Sequence, residues 1–259
     1  MHFPRRAFSV LFSLSLSLSL SLAAEQPPPR DLQAILLVQQ LVGTMGGVLP
    51  QDSLATGTVT LMEGSTTEMG AIRILTRGFD QNREEIQTPE SRRVVVHSRE
   101  RAKEQKGGVV NGFSLELAIS SRPGTFPLVW LTVMLANLDS AFQYVGIETV
   151  SGIQAHHLRL WNTFSSNPAL QAHAEFSVRD LWLDVSTGLP WKVAYNQRRA
   201  RGAVAPTRVE IFFSEYRNIA GVFYPFRIEK SLNGTPWATI TIENVNLNSG
   251  LSDADFQIH

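Results

Sequence analysis

The sequence predicts a mainly β fold (α+β): a single open antiparallel β half-barrel, with an N-terminal helix and a central apolar lid helix covering the concave face. Three observations support this prediction. From residue 54 onward, short runs of alternating polar and apolar residues are separated by turn residues. The links between the runs are too short for parallel crossovers. Two segments, 31–42 and 127–138, have helical features instead.

The composition is typical of a folded globular chain, with 259 residues of which 43% are hydrophobic and 18% charged. Basic and acidic residues number 23 each, so the surface has no general attraction for phosphate backbones and nucleic acid is not an expected partner. Cysteine is absent, which excludes disulfides, thiolate metal sites, cysteine nucleophiles and a lipid attached to an N-terminal cysteine.

The first 24 residues have the features of a signal peptide. Two arginines, Arg5 and Arg6, precede an uncharged run rich in leucine and serine, and cleavage is possible after Ala23 or Ala24. The alternative is an uncleaved anchor, but the apolar run is shorter than the ~20 residues that a spanning helix needs. The arginine pair leaves both general secretion and twin-arginine export open. We therefore expect a periplasmic protein.

After the signal peptide we expect a proline-rich leader at 25–30 and a single half-barrel domain over 31–259. Asp31 is a plausible N-cap for a helix that runs through Val42 and ends at the Gly46-Gly47 pair. Strands are predicted next, over Thr58–Met62, Ala71–Thr76, Glu84–Thr88 and Arg92–Ser98. The charged run 99–106 is expected to be a solvated loop or a hairpin tip.

The central segment 123–141 differs from its surroundings. Pro127 can occupy a first helical turn, and apolar residues then cover nearly the whole circumference of the predicted helix, so it should be covered on several sides. Its β-branched residues leave a buried strand as the alternative. The pattern does not show which side of the helix faces the concave surface.

The second half of the chain is predicted to consist of strands joined by turns such as Ser151-Gly152 and Asn233-Gly234. The apolar residues Val209, Ile211 and Phe213 alternate with polar ones, which indicates one apolar and one hydrated face. The predicted strands are Gln143–Val150, Ile153–Trp161, Phe176–Asp184, Trp191–Tyr195, Arg208–Tyr216, Val222–Leu232 and Trp237–Leu247.

This second half resembles the LolA/LolB-like family of periplasmic lipoprotein-sorting and lipid-binding proteins, which includes the RseB/MucB-like half-barrels. The motifs that carry the resemblance are Val150-Ser151-Gly152-Ile153, Leu181–Asp184 with Thr187–Lys192, Phe213–Arg217, Gly221-Val222 with Tyr224–Ile228, and Asn246, Leu251, Asp253 and Phe256. The resemblance implies an open half-barrel covered by helices, and outer-membrane biogenesis or transport as its setting. LolB is anchored through an N-terminal cysteine, which this chain lacks.

Residues that could support other chemistry fit structural roles better. His156 and His157 are adjacent on a strand and point to opposite faces, so only one can join a given site, and no metal site is predicted. Asp180 and Asp184 alternate with leucines, which predicts solvent-facing positions, with Asp184 capping a turn. The basic cluster 197–201 is predicted to be a hairpin tip, with contact to anionic head groups or a partner as the alternative.

The main functional hypothesis is therefore a non-catalytic carrier or sensor that holds a lipid acyl chain, a lipoprotein or another apolar ligand, without a cofactor and as a monomer. The rivals are an interaction module of the RseB-like type that binds an envelope membrane protein, and a hydrolase that the motifs do not reveal. The predicted cavity residues lie on the central helix and on the strands below it: Trp130, Leu131, Met134, Leu158, Leu160, Ile211, Phe213, Phe226 and Ile228.

Overall fold

The structure, a computed structural model, describes residues 28–78, 80–122, 124–198 and 205–258. The predicted signal peptide, the first part of the proline-rich leader and residues 199–201 of the basic cluster lie outside the described residues. In the described part the strands form one antiparallel sheet. They are β1 (Asp52–Glu63), β2 (Thr66–Arg77), β3 (Gln81–Gln87), β4 (Arg92–Ser98), β5 (Arg101–Lys106), β6 (Val109–Gly112), β7 (Ser140–Val150), β8 (Ile153–Asn162), β9 (Arg179–Asp184), β10 (Pro190–Gln197), β11 (Thr207–Ile219), β12 (Val222–Leu232) and β13 (Thr235–Leu247).

The sheet is open, with strand order β6-β5-β4-β3-β2-β1-β13-β12-β11-β10-β9-β8-β7. Every neighbouring pair along this order is consecutive in sequence except β1 and β13, which bring the two halves of the chain together. The predicted mainly β, open antiparallel half-barrel is confirmed. The strands β6 and β7 form its two edges.

The helices are α1 (Leu32–Thr44), α2 (Leu115–Ser120), α3 (Pro127–Ala136) and the short α4 (Pro168–Gln171), together with 3-10 turns at Ala174–Ser177 and Asp253–Phe256. The predicted N-cap is present, because the Asp31 carboxylate accepts hydrogen bonds from the backbone N–H groups of Gln33 and Ala34. Helix α1 packs against α3 and buries Ala34, Val38 and Leu41.

The main core lies between these helices and the concave face of the sheet. It contains residues from α1 and α3 and from both halves of the sheet, so one continuous apolar interior spans the molecule. A smaller core on the opposite face forms where the C-terminal segment crosses β2 and β4, with Phe256 packed against Leu75, Val94 and Val96. Asp52 anchors this segment by accepting hydrogen bonds from residues 249–251.

Two local expectations are corrected by the structure. The charged run 99–106 is mostly the strand β5, which pairs with both β4 and β6, and only Ala102 in it is buried. Because the other side chains of β5 stay in water, the strand shows no apolar alternation. The sequence also did not indicate α2, whose six residues are too few for a helical period and whose N-cap is Ser114.

Candidate ligand-binding interior

The nine residues predicted to line a cavity all lie in the single core beneath α3. Each is more than nine-tenths buried, and together they join α3 to strands β8, β11 and β12: Trp130, Leu131, Met134, Leu158, Leu160, Ile211, Phe213, Phe226 and Ile228. The structure therefore brings them together in one place. Their contact with a ligand is a proposal, argued below.

Helix α3 is covered on most sides. Its first five residues and Met134 are buried, whereas Ala136 at its end is exposed. Trp130 and Met134 border a cavity of about 30 Å³ toward β9, whereas Leu131 is packed in the core. The N-cap, Phe126, makes no side-chain capping hydrogen bond. Packing, rather than capping, therefore holds this helix in place.

The interior also contains charged residues. Lys230 on β12 donates a hydrogen bond to the Glu84 carboxylate on β3 at 2.8 Å, and both side chains are only one-tenth exposed. This pair borders a cavity of about 100 Å³ that is also lined by His97 and Tyr195. Burial, followed by the field of the nearby Arg122 cation, lowers the pKa of His97 to about 3, so its imidazole is neutral at neutral pH.

Arg179 is a second charged group in the interior. It is 8% exposed, and its guanidinium lies 4.3 Å from the ring centroid of Tyr195, its cross-strand neighbour on β10. Its Nη2 donates to the backbone carbonyls of Arg122 at 2.9 Å and Ile119 at 3.5 Å, which ties β9 to the end of α2. Burial lowers the pKa of Arg179 to about 10, so it stays cationic at neutral pH.

Four buried polar atoms in this region make no hydrogen bond in the described part of the chain. They are His97 Nδ1, Thr125 Oγ1, Trp130 Nε1 and Arg179 Nη1. Three small cavities of about 20, 30 and 100 Å³ adjoin them, and each is lined in part by the connection between α2 and α3. The connection thus borders all three cavities and covers a polar part of the interior.

The sequence does indicate that these charged residues are buried, but through their strand parity and not through a motif. Arg179 has the same strand parity as the buried Leu181 and Leu183, and Glu84 the same parity as the buried Ile86. A charged residue at the apolar parity of a strand must be buried with a partner or a ligand.

The histidine pair lies on the β7–β9 part of the sheet, with the two rings on opposite faces. His157 lies between the Glu148 and Asp180 carboxylates at 2.8 and 3.2 Å, and its ring stacks on Trp182. No cluster of three or more potential metal ligands occurs among the described residues.

The prediction that Asp180 faces solvent is wrong. The residue is 5% exposed, because Arg159 on the adjacent strand β8 and Arg208 on β11, two strands away, cover it and donate hydrogen bonds to it at 2.9 and 3.0 Å. The turn-capping role predicted for Asp184 is confirmed, since its carboxylate accepts from the Ser186 N–H.

No family model and no curated protein matches the sequence. Solved structures share its fold over most of its length. A domain from Vibrio parahaemolyticus, named for outer membrane lipoprotein sorting, superposes with a TM-score of 0.56 at 14% identity, over 86% of this chain and 96% of that one. A LolA superfamily protein from Nitrosomonas europaea gives a TM-score of 0.54 at 17% identity, over 85% and 97% of the two chains. The chain has a LolA-like fold.

A DUF1329 family protein from Desulfovibrio piger shares the LolA-like fold as well, with a TM-score of 0.55, 16% identity, and coverage of 87% of this chain and 96% of that one. The family resemblance drawn from the second half of the sequence is thus confirmed for the fold, and it extends to the first half. No helix in the described part of this LolA-like chain is both long and apolar enough to cross a bilayer.

Proposed function

We propose that this protein is an exported, non-catalytic carrier or sensor that holds an acyl chain or another apolar ligand between α3 and the concave sheet. The observation that carries the proposal is the position of α3: an apolar helix with no capping side chain lies over the six buried strand residues of the predicted cavity, within a continuous apolar interior. The LolA-like fold and the predicted signal peptide support it, because both fit a protein that works in the periplasm.

The proposed mechanism is hydrophobic transfer with movement of the lid. The two cavities that α3 lines measure only about 20 and 30 Å³, so a long chain enters by displacing α3 from the strands. Each buried CH2 contributes about 0.8 kcal/mol, so a chain of some sixteen carbons replaces much of the apolar contact that α3 gives up. Ligand and lid then compete for the same surface, which permits both uptake and release.

Uptake of a fluorescent fatty-acid probe by the purified mature protein tests this proposal. Met134→Glu places a charge at the lid's inner surface and should weaken probe binding at least tenfold, whereas Ala136→Glu, on the exposed end of the same helix, should leave binding unchanged. The thermal unfolding midpoints of both variants are measured in parallel with probe binding. Absence of uptake by the wild type, together with a large loss of stability in Met134→Glu, would show that α3 is a fixed structural helix.

An interaction module for an envelope protein is the second candidate function. Leu32 and Leu36 lie one turn apart on α1 and are 70% and 55% exposed, and Leu138 beyond the end of α3 is 80% exposed. Exposed apolar side chains on one helix face are typical of a docking surface. Native mass spectrometry of protein purified from its own envelope separates the two: co-purifying lipid supports carriage, and a stoichiometric protein with no lipid supports the module.

A further inference from the structure

We infer that the cavity between Arg179 and Trp130 binds the oxyanion of a single-chain amphiphile, a carboxylate or a phosphate, while its chain runs past Met134 into the apolar interior. This inference rests on the proposed function and adds a head-group site to it.

The first argument is the unmet hydrogen-bonding capacity of Arg179. Its Nη2 is used by two backbone carbonyls, but Nη1 has no partner in the described chain although the residue is more than nine-tenths buried. A buried cation without a counter-charge is costly, so its retention calls for a ligand that completes it. Guanidinium groups bind carboxylates and phosphates through such paired donors.

The second argument is the charge around this guanidinium. The described ion pairs include no carboxylate bonded to Arg179, and the groups that act on it electrostatically are the Tyr195 ring and the Arg122 cation. Arg122 lines the same cavity, and its guanidinium also pairs with the Glu100 carboxylate at 4.0 Å. An anion placed there would be attracted by both guanidinium groups. A neutral ester or alcohol would be attracted much more weakly.

The third argument rests on a second N–H donor, that of Trp130, and on the path that Met134 offers to the acyl chain. Trp130 Nε1 is also buried without a partner, and its side chain lines the same cavity as Arg179. Both N–H donors are buried, so displacement of α3 would open them to the two oxygens of an oxyanion. Met134 lines this cavity too, one turn further along α3, so the head-group position leads directly to the proposed acyl-chain path.

The test compares ligands that differ only in their head group. Binding of palmitate, hexadecyl phosphate and neutral methyl palmitate to the mature protein is measured by displacement of a bound fluorescent probe. We expect at least one of the two anions to bind at least tenfold more tightly than methyl palmitate. Acetate and inorganic phosphate, which lack the chain, should not displace the probe at millimolar concentration. Displacement by either would indicate a site for free anions and overturn the inference that the ligand is an amphiphile.

Two variants show whether Arg179 sets this preference. Arg179→Gln should bring the affinity ratio of anion to ester close to one, and Trp130→Phe, which keeps an aromatic side chain but removes the N–H, should lower it several-fold. Arg92→Gln, at an exposed arginine, is the control and should preserve the ratio. If Arg179 only holds the lid in place, its removal will change binding of anion and ester equally and leave the ratio intact.

The outcomes separate this inference from the proposed function. Equal binding of anion and ester by the wild type, or a ratio that persists in Arg179→Gln, overturns the head-group site and leaves apolar carriage standing. Failure of all three long-chain ligands to bind overturns both. Where Arg179→Gln does not fold, the Trp130→Phe ratio decides the matter, because that change leaves Arg179 in place and keeps an aromatic side chain on α3.

Discussion

Glu84 and Lys230 form a buried ion pair with Nζ 2.8 Å from Oε2, although three strands separate β3 from β12 in the sheet. The contact is possible only because the sheet curls until its concave sides face each other. The pair thus fixes the curvature of the half-barrel at the polar end of its interior, beside the cavity that His97 and Tyr195 also line.

Breaking this pair should be costly. Glu84→Gln leaves the Lys230 ammonium buried without a counter-charge, so we expect the free energy of unfolding to fall by about 3–5 kcal/mol in urea titrations. Adding Lys230→Met should restore much of the loss. Arg73→Gln removes an ion pair of an exposed arginine and should cost less than about 1 kcal/mol. A Glu84→Gln loss as small as that of Arg73→Gln would mean that the pair does not hold the curvature.

The same pair predicts acid sensitivity. Burial alone would raise the pKa of Glu84, but the adjacent Lys230 ammonium outweighs burial and holds it below the ordinary 4.5. A lowered pKa in the folded state contributes stability above pH 4.5 that is lost as the pH falls through the lowered value. Unfolding titrations below pH 4.5 should therefore show a shallower decline for the double variant Glu84→Gln/Lys230→Met than for wild type. Parallel declines would contradict this.

His157 should give a pH dependence of opposite sign. Burial would lower its pKa, but its contacts with the Asp180 and Glu148 carboxylates raise it above 6.5. A raised pKa contributes stability that is complete below pH 6.5 and is lost as the pH rises through the raised value. Titration of the imidazole by NMR should place its pKa above 6.5, and His157→Gln should flatten the stability profile between about pH 6 and 9. An imidazole that titrates below 6.5 would refute the arrangement.

The two faces of β13 offer a clean test of the half-barrel. Ile240 is buried in the core and Thr241 next to it is exposed. Ile240→Asp buries a carboxylate and should cost about 3 kcal/mol or more, whereas Thr241→Asp should stay within about 0.5 kcal/mol of wild type. Thermal unfolding of both variants measures this difference. Equal destabilisation would mean that both faces of the strand are covered.

The fold was predictable because its signals are local. Alternation and turn residues predicted the bounds of β4 and β12 to the residue. An N-cap followed by apolar residues at helical spacing predicted α1. The strand β5 was missed because only Ala102 in it is buried, so its sequence lacks the alternation that marks a half-buried strand.

The interior was only half predictable, for a different reason. The apolar residues beneath α3 follow from strand parity, but the partner of Glu84 lies 146 residues away and depends on how tightly the sheet curls. Likewise, Asp180 has the parity of a hydrated face, yet Arg159 on β8 and Arg208 on β11 cover it. Strand parity tells which face a side chain is on, but not what lies over that face.

The central claim, that α3 must move to admit a ligand, can be tested with a reversible lock. A Cβ built at Gly124, just before α3, lies 3.7 Å from Val193 Cγ1 on β10. Gly124→Cys with Val193→Cys therefore puts two thiols in neighbouring positions, and we expect oxidation to join the lid connection to the sheet by a disulfide. The chain has no cysteine of its own to interfere. Uptake of a fluorescent fatty acid should be lost in the oxidised double variant, return on reduction, and persist in both single variants. Equal uptake by the oxidised and reduced forms would contradict the account.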